Sequence, residues 1–182
     1  LSKTNENEIE TRWSDATGPT APWQKAQSDP TWAGETVYFD KRQIITDAPL
    51  EKVWAAVEKI GGDTGWYGTG FLWWLRGLMD RLIGGVGIRR GRRDPLILQV
   101  GDAVDFWRVE AVVPNVKVKL YAEMILPGKA WLEFRIEEMS DGHLKLIQEA
   151  SFQPRGLGGQ LYWFSVAPFH FLVFPRMIRN IV

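Results

Sequence analysis

The sequence predicts a domain of the α+β class, in which a curved antiparallel sheet wraps round one long C-terminal helix. Three observations lead to this prediction. Apolar and polar residues alternate from residue 101 to residue 152, as they do in half-buried strands. Residues 158–182 are too many and too uniformly apolar for a single strand. Residues 35–60 combine a β-branched and aromatic run with apolar residues at helical spacing, which adds a strand and a helix before the sheet.

A first strand and two helices are predicted before the sheet. Residues 35–45 (ETVYFDKRQII) have the composition of a strand. Asp47 is predicted to cap the helix that follows it. The apolar face of that helix would consist of Leu50, Val53, Trp54, Val57 and Ile60. A second helix is predicted over residues 71–82, where apolar residues recur at spacings of four, three and four and Arg76 can pair with Asp80.

Four strands joined by hairpins are predicted after residue 101. They cover residues 103–113, 116–126, 130–136 and 144–152. The turns between them are predicted at Pro-Asn 114–115, Pro-Gly 127–128 and Ser-Asp-Gly 140–142. The C-terminal helix is predicted to be kinked or interrupted near Pro168 and Pro175, because proline removes a backbone hydrogen bond.

The chain is predicted to consist of a polar linker or surface arm, residues 1–34, and a globular domain, residues 35–182. The arm contains glycine and prolines and shows neither a helical nor a strand period. Because Trp13, Trp23 and Trp32 would be costly to leave in water, we expect some of them to dock on this domain or on a neighbouring one. The opening Leu-Ser-Lys-Thr, without methionine, suggests a piece of a longer protein.

The composition argues against several classes of function. Lys plus Arg and Asp plus Glu number 22 each, so no net field of one sign attracts nucleic acid. The chain has no cysteine and two histidines, so we predict no metal site, and the string GGVGIRRG lacks the pattern of a phosphate-binding loop, so we predict no cofactor. The longest apolar run, residues 161–174, is shorter than the roughly 20 residues of a spanning helix. Membrane contact is therefore expected to be peripheral at most, and we expect the protein in the cytoplasm.

The predicted order of elements resembles the helix-grip fold of the START-like (SRPBCC) superfamily, whose members enclose lipids, sterols, polyketides and other apolar molecules. The strings GGDTGWY, LWWLRGLMDRLIGGVGIRRGRRDP, GDAVDFWRVE, AEMILPGKAWLEF and FQPRGLGGQLYWFSVAPFH are similar to a bacterial family of unknown function, DUF2867. Members of that family are often fused behind a Rossmann domain of the short-chain-dehydrogenase or epimerase type. The resemblance runs from residue 12 to the end. It implies a hydrophobic small molecule as ligand and a Rossmann-type domain on the N-terminal side.

A sheet of this size wrapped round one helix leaves a cavity between them, where an apolar ligand can lie. We expect nine residues to contact the ligand: Trp66, Trp74, Asp105, Trp107, Met124, Phe134, Gln148, Tyr162 and His170. The stretch 61–95, which combines glycines, tryptophans and arginines, is expected to form a gate or a wall of the site.

Three polar residues stand out on otherwise apolar faces. Asp105 is predicted on the same strand face as Trp107, where an ionised carboxylate needs a partner; it could contact the ligand or reach solvent at the end of the strand. Gln148 could hydrogen-bond a ligand or a structural group. His170 titrates near neutral pH and could orient a ligand or accept a proton, although such a histidine is more often a bonded core residue.

The sequence leaves three functions open. The first is binding of a hydrophobic or amphipathic small molecule by a module of a larger oxidoreductase-like protein, with no catalytic residue assigned. The second is an enzyme of the polyketide cyclase or dehydratase kind, with Asp105, Tyr162 and His170 as acid and base groups around one pocket. The third is a docking module whose sheet and helix are packed shut. The arginines at 89, 90, 92 and 93 could hold an anionic group of a ligand, face a partner domain, or be a solvated loop.

Overall fold

The structure is a computed structural model that describes residues 36–67, 70, 77, 78, 80–82, 84, 85 and 92–182. Its strands are β1 (Tyr38–Thr46), β2 (Ala103–Val104), β3 (Trp107–Val113), β4 (Lys117–Ala122), β5 (Gly128–Glu138) and β6 (Leu144–Pro154). Its helices are α1 (Leu50–Glu58), a short 3-10 helix (Gly62–Thr64) and α2 (Gly156–Ile181). The predictions for residues 1–34, for Trp74 and for Arg76 concern positions outside the described residues. Asp80, the predicted partner of Arg76, is described, and its carboxylate accepts a 2.8 Å hydrogen bond from the Ile125 amide.

The six strands form one antiparallel sheet in the order β1-β6-β5-β4-β3-β2. From β3 to β6, each strand pairs with the next one along the chain, as the predicted hairpins require. β1 adds to the far side of β6, where Tyr38 lies opposite Phe152 and Thr46 lies opposite Leu144. The 26-residue helix α2 packs across β6 and β1. The predicted α+β fold, a helix-grip sheet on a long C-terminal helix, is confirmed.

One face of the sheet carries the core. On β4 the buried residues are Val118, Leu120 and Ala122, and on β6 they include Leu144, Leu146, Ala150 and Phe152. Both sets lie on the faces that the two-residue period predicts. α1 contributes Val53, Trp54 and Val57, three of the residues predicted for its apolar face. Each fully buried valine, leucine or phenylalanine side chain of this core stabilises the fold by roughly 1.5–3 kcal/mol through its burial.

The strand predicted over residues 103–113 is instead a tight hairpin. β2 and β3 pair with Ala103 opposite Arg108 and Val104 opposite Trp107, so the chain reverses at Asp105 and Phe106. Asp105 has a φ of 54°, in the left-handed region that aspartate tolerates better than most side chains. An alternating pattern does not reveal such a reversal, because a two-residue turn leaves the alternation intact. Asp105 therefore lies in the turn, and the prediction that it shares a strand face with Trp107 is wrong.

Two predictions about helix ends and breaks are also corrected. The residue that precedes the first turn of α1 is Pro49, and no side chain caps that turn. Asp47 contacts His143, near the start of β6, instead. α2 is not interrupted at Pro168 or Pro175, since each proline removes one hydrogen bond while the remaining turns keep theirs. A kink at these prolines stays a prediction. Among the described residues, no helix is both long and apolar enough to span a membrane.

Candidate ligand-binding site

A cavity of about 480 Å³ lies between α2 and the concave face of the sheet. Its lining comes from β3, the connection between β4 and β5, β5, β6 and one side of α2. The residues that line it are Trp107, Met124, Leu126, Ala130, Trp131, Ala150, Ser151, Phe152, Tyr162, Trp163, Ser165, Val166, Phe169, His170, Val173 and Phe174. A void of this size falls within the range of pockets that hold small molecules. The lining is overwhelmingly apolar, so it suits an apolar ligand.

Small side chains on the sheet and aromatic packing on the helix create this space. Ala130 on β5 and Ala150 on β6 place methyl groups where larger residues would fill the gap. Above them, the Trp163 ring stacks on Phe152 at 5.9 Å and on Tyr38 at 5.4 Å between ring centroids. These contacts hold α2 over β1 and β6 while the helix spans the space beyond them.

His170 is a titratable residue in the lining of the cavity. The imidazole lies edge-on to Trp163 and at 4.6 Å from the Phe174 ring centroid. Its Nδ1 is buried without a hydrogen bond among the described residues, and lies 3.7 Å from an Asp40 carboxylate oxygen. Burial lowers the pKa of His170, Asp40 opposes that effect, and nearby Arg42 adds to it. The imidazole is therefore neutral at pH 7 and can offer a nitrogen to a ligand.

This lowered pKa predicts a pH dependence of stability. Well above the ordinary histidine pKa of about 6.5, both folded and unfolded chains carry a neutral His170 and pH has no effect through it. As the pH falls through that value, the unfolded chain takes up the proton first, so stability decreases toward the lower pKa of the folded state. Between pH 7.5 and pH 5, we expect the melting temperature of His170→Gln to decrease less than that of the natural chain.

The exposed histidine at 143 provides the matched control for that experiment. Thermal denaturation of both variants and of the natural chain at several pH values gives the comparison. Equal changes in the pH profile of His170→Gln and His143→Gln would contradict the role given to burial of His170.

The structure brings four of the nine predicted site residues to the cavity and places four elsewhere. Trp107, Met124, Tyr162 and His170 line the cavity. Phe134 and Gln148 are buried in the core outside the lining, and Trp66 and Asp105 form a separate cluster behind Trp107. The ninth residue, at position 74, lies outside the described positions.

Asp105 and Trp66 form a buried pair rather than a wall of the cavity. The indole Nε1 of Trp66 donates a 2.7 Å hydrogen bond to the Asp105 carboxylate, and the Gly62 amide donates a second one. Desolvation raises the pKa of Asp105 and these hydrogen bonds oppose the rise. Trp66 in turn lies 6.1 Å from Trp107, ring centroid to ring centroid. The Asp105–Trp66 pair therefore packs against Trp107, which lines the cavity.

Gln148 is fully buried on β6, between Arg42 on β1 and Phe134 on β5 in the register of the sheet. Neither its amide oxygen nor its amide nitrogen has a hydrogen bond among the described residues. Ala150, the next residue on the same face, lines the cavity, whereas Gln148 does not. A ligand contact by Gln148 stays a prediction.

The described part of the arginine patch makes structural contacts. Arg92 donates to the backbone oxygen of Ile60, and Arg93 forms a bidentate pair with Asp102 on the surface. The other two arginines of the patch, at 89 and 90, are outside the described residues. Within the described ranges, no group of three or more histidine or acidic side chains is arranged to hold a metal ion.

Several lining residues of α2 were missed by the prediction. They include Trp163, Val166, Phe169, Val173 and Phe174. Starting from Tyr162, positions 166, 169 and 173 follow at spacings of four, three and four, so one helical face contains them all. This spacing indicates an apolar helix face. Because the opposite face of α2 is also apolar, the sequence alone does not show which face borders the cavity.

Strand order, helix placement and cavity together define the class of this protein: a helix-grip domain that encloses an apolar cavity. The sequence model of the family "Protein of unknown function (DUF2867)" matches residues 32–177. The chain therefore belongs to the DUF2867 family. No match to a curated protein was found.

Several solved structures are similar to this chain at low identity. Norcoclaurine synthase from Thalictrum flavum is 9% identical over 84% of this chain and 95% of its own, with a TM-score of 0.49. The protein Ara h 8.0201 is 14% identical over 80% of this chain and 98% of its own, with a TM-score of 0.43. DynU16, a putative protein of the dynemicin biosynthetic locus, is 14% identical over 78% of this chain, with a TM-score of 0.44. This chain covers 46% of DynU16. The fold assignment rests on the strand order and α2, not on these likenesses.

Proposed function

We propose that this domain binds a hydrophobic or amphipathic small molecule in the cavity between the sheet and α2. The observation that carries the proposal is the cavity itself, about 480 Å³ in volume with an apolar lining. Protein interiors are otherwise close-packed, and a void this large forfeits dispersion contacts along its whole wall. An apolar ligand would restore those contacts. A docking module packed shut would have no such void.

The polar groups of the lining favour a ligand with one polar end. Tyr162, Ser165 and His170 lie on α2, and Ser151 lies on β6. The neutral imidazole of His170 borders the cavity. Its Nδ1 is buried toward Asp40, so Nε2 is the nitrogen that can pair with a hydroxyl or carbonyl group. The remaining lining offers apolar and aromatic surface. The expected ligand therefore has an apolar body and a hydroxyl or carbonyl near α2.

Native mass spectrometry of the purified chain, compared with its denatured mass, tests the proposal directly. An added mass of a few hundred daltons that is lost on denaturation is the expected result, consistent with a ligand that fits this volume. Absence of any added mass, repeated after incubation with a mixed lipid extract, would overturn the proposal.

A cavity-filling substitution should weaken binding without unfolding the domain. Ala150→Phe places a ring in the void, so we expect the affinity for the apolar fluorophore 1-anilinonaphthalene-8-sulfonate to fall at least about tenfold, or roughly 1.4 kcal/mol. Fluorescence titration measures it. Ala130→Phe, on the neighbouring strand, should act in the same way. Ala111→Phe, a partly buried position on β3 outside the lining, is the matched control and should retain the affinity of the natural chain.

An enzyme of the polyketide cyclase or dehydratase kind is the second candidate. The observation in its favour is that His170 and Tyr162 share one apolar cavity, where a neutral imidazole can act as a general base. Asp105, the third group of that hypothesis, lies outside the lining. Loss of turnover in His170→Gln with unchanged fluorophore affinity would favour the enzyme, and equal turnover in both proteins would exclude this role for His170.

The proposal also covers the wider protein. We expect the domain to act in the cytoplasm beside a Rossmann-type oxidoreductase-like domain on its N-terminal side. The resemblance of its sequence strings to family members with that arrangement supports this. An antibody against the domain should detect a band far above 20.8 kDa in the source cells, and a band at that mass alone would contradict the fusion.

A further inference from the structure

One face of α2 is apolar and exposed. Two of its side chains also contact β1: the Phe164 ring lies 5.7 Å from the Tyr38 ring, centroid to centroid, and the Arg42 guanidinium lies 5.0 Å from the Phe171 ring centroid. We call this face the outer stripe: Leu157, Leu161, Phe164, Pro168 and Phe171, with Leu172 beside it. The exposed fractions of its leucines and phenylalanines range from 43% to 77%. The stripe residues recur at spacings of four, three, four and three, so they line up along about 21 Å of helix. A contiguous patch of this kind on a folded domain marks an interaction surface.

The charges on α2 identify the partner. The 26 residues of the helix contain no Asp or Glu. Arg155 precedes the helix, and Arg176 and Arg179 lie in its last two turns; all three are exposed. The whole chain has a formal net charge of zero, so this positive charge is local. Arginine near a helix C-terminus also complements the helix dipole, but that effect does not account for the apolar stripe between the two ends.

An anionic lipid surface satisfies both features at once. Phenylalanine and leucine side chains enter the acyl boundary of a bilayer, while arginines at the rim pair with lipid phosphates. A second copy of the chain fits less well, because antiparallel pairing of two α2 helices would bring Arg176 and Arg179 near Arg155 of the other copy. Those like charges would repel each other.

The stripe adjoins the opening of the cavity. Phe169 lines the cavity and is 54% exposed, so it lies at the rim. Ser165 also lines the cavity and is exposed. Leu161 of the outer stripe lies one helical turn from Ser165, and Leu172, beside the stripe, lies one turn from Phe169. A surface that covers the stripe would therefore meet the cavity rim.

We propose that the outer stripe docks α2 on the surface of an anionic membrane, where the cavity exchanges its apolar ligand with the lipid phase. The exchange step rests on the function proposed above, whereas the docking step does not. Docking by one helix face is peripheral and needs no spanning segment.

Co-sedimentation of the full chain with vesicles tests the docking. The vesicles are phosphatidylcholine alone, or phosphatidylcholine and phosphatidylglycerol at 7:3. We expect binding to the mixed vesicles to be at least tenfold tighter than to phosphatidylcholine alone. The variant Leu161→Glu with Phe164→Glu should weaken binding to the mixed vesicles at least tenfold, and Arg176→Gln with Arg179→Gln should remove most of the preference for phosphatidylglycerol.

The control variant also replaces two exposed apolar residues with glutamate, but on another surface. Phe39 and Ile45 are 55% and 56% exposed on β1, so Phe39→Glu with Ile45→Glu should bind the mixed vesicles like the natural chain. Equal binding by both glutamate pairs, or no vesicle binding by the natural chain, would overturn the proposal. So would a change of oligomeric state in Leu161→Glu with Phe164→Glu, measured by light scattering, since a second copy would then cover the stripe.

The cavity-filled variant separates this proposal from the proposed function. Ala150→Phe leaves the outer stripe intact, so it should bind the mixed vesicles with unchanged affinity while it loses the fluorophore. If the natural chain binds vesicles but takes up no apolar molecule, the proposed function fails and the docking surface stands. If the natural chain takes up the fluorophore but does not bind vesicles, the docking surface fails and the proposed function stands.

Discussion

Gly159→Ala should destabilise the domain by about 2 kcal/mol, the cost of forcing an extra carbon into a filled space. Gly158→Ala, one position earlier in the same helix, should instead stabilise it by up to about 1 kcal/mol, the gain from replacing glycine within a helix. Both substitutions replace a glycine of α2 with alanine. Opposite changes in the free energy of unfolding would therefore reflect the different surroundings of the two positions.

The difference follows from the way α2 is seated on the sheet. A Cβ at Gly159 would overlap the backbone oxygen of Pro127 and lie 2.7 and 2.8 Å from the Cβ and Cα of Pro154. These are backbone or ring atoms at the paired ends of β5 and β6, where Gly128 lies opposite Pro154, so they cannot move aside cheaply. A Cβ at Gly158 would meet no atom within 4 Å.

Chemical denaturation of the two variants and the natural chain measures both free energies of unfolding. Because α2 supplies half of the cavity lining, the displaced helix in Gly159→Ala should also lower fluorophore affinity, whereas Gly158→Ala should retain it. Equal stability of the two variants would show that the first turn of α2 is not held against the sheet in this way.

The sheet was predictable from the sequence because its signals are local. Alternating apolar residues and a turn at Asn115, where φ is 62°, specify the hairpins of β3 to β5 without reference to the rest of the fold. The reversal at Asp105 carries no such signal, since it neither breaks the alternation nor uses glycine. Local patterns failed there because the conformation is fixed by contacts with a distant segment, Gly62 and Trp66.

The candidate site was predictable only in part for a related reason. Tyr162 and His170 stand out as polar groups on an apolar helix, and both line the cavity. Phe134 and Ala150 lie on the same face of the sheet, yet only Ala150 borders the void, because the void depends on where α2 lies above that face. A cavity is a property of packing between distant segments, so alternation along one strand cannot locate it.

Asp105→Ala should destabilise the domain by about 3 kcal/mol, since it leaves buried donors unsatisfied and strains the turn. The carboxylate accepts hydrogen bonds from the Trp66 indole and the Gly62 amide, and alanine can accept neither. Alanine also tolerates a φ of 54° less well than aspartate does. Trp66 and Trp107 should then shift, and with them one wall of the cavity, so fluorophore affinity should fall as well.

Asp105→Asn should behave in the opposite way. Asparagine retains a carbonyl oxygen for Trp66, tolerates the left-handed conformation and carries no charge to desolvate. Because burial raises the pKa of Asp105, its ionised form is penalised in the folded state at neutral pH. We therefore expect Asp105→Asn to be at least as stable as the natural chain at pH 7.

The pH dependence of this comparison has a definite sign. As the pH falls through the raised pKa, the folded natural chain takes up a proton before the unfolded chain does, and it gains stability until the pH is below the ordinary aspartate pKa of about 3.9. The advantage of Asp105→Asn over the natural chain should therefore shrink from pH 7 toward pH 4. Urea denaturation of both proteins across this range measures it. A constant difference, or Asp105→Asn as unstable as Asp105→Ala, would mean that the charge of Asp105 is itself required in the folded domain, and would reopen its candidacy as a functional acid.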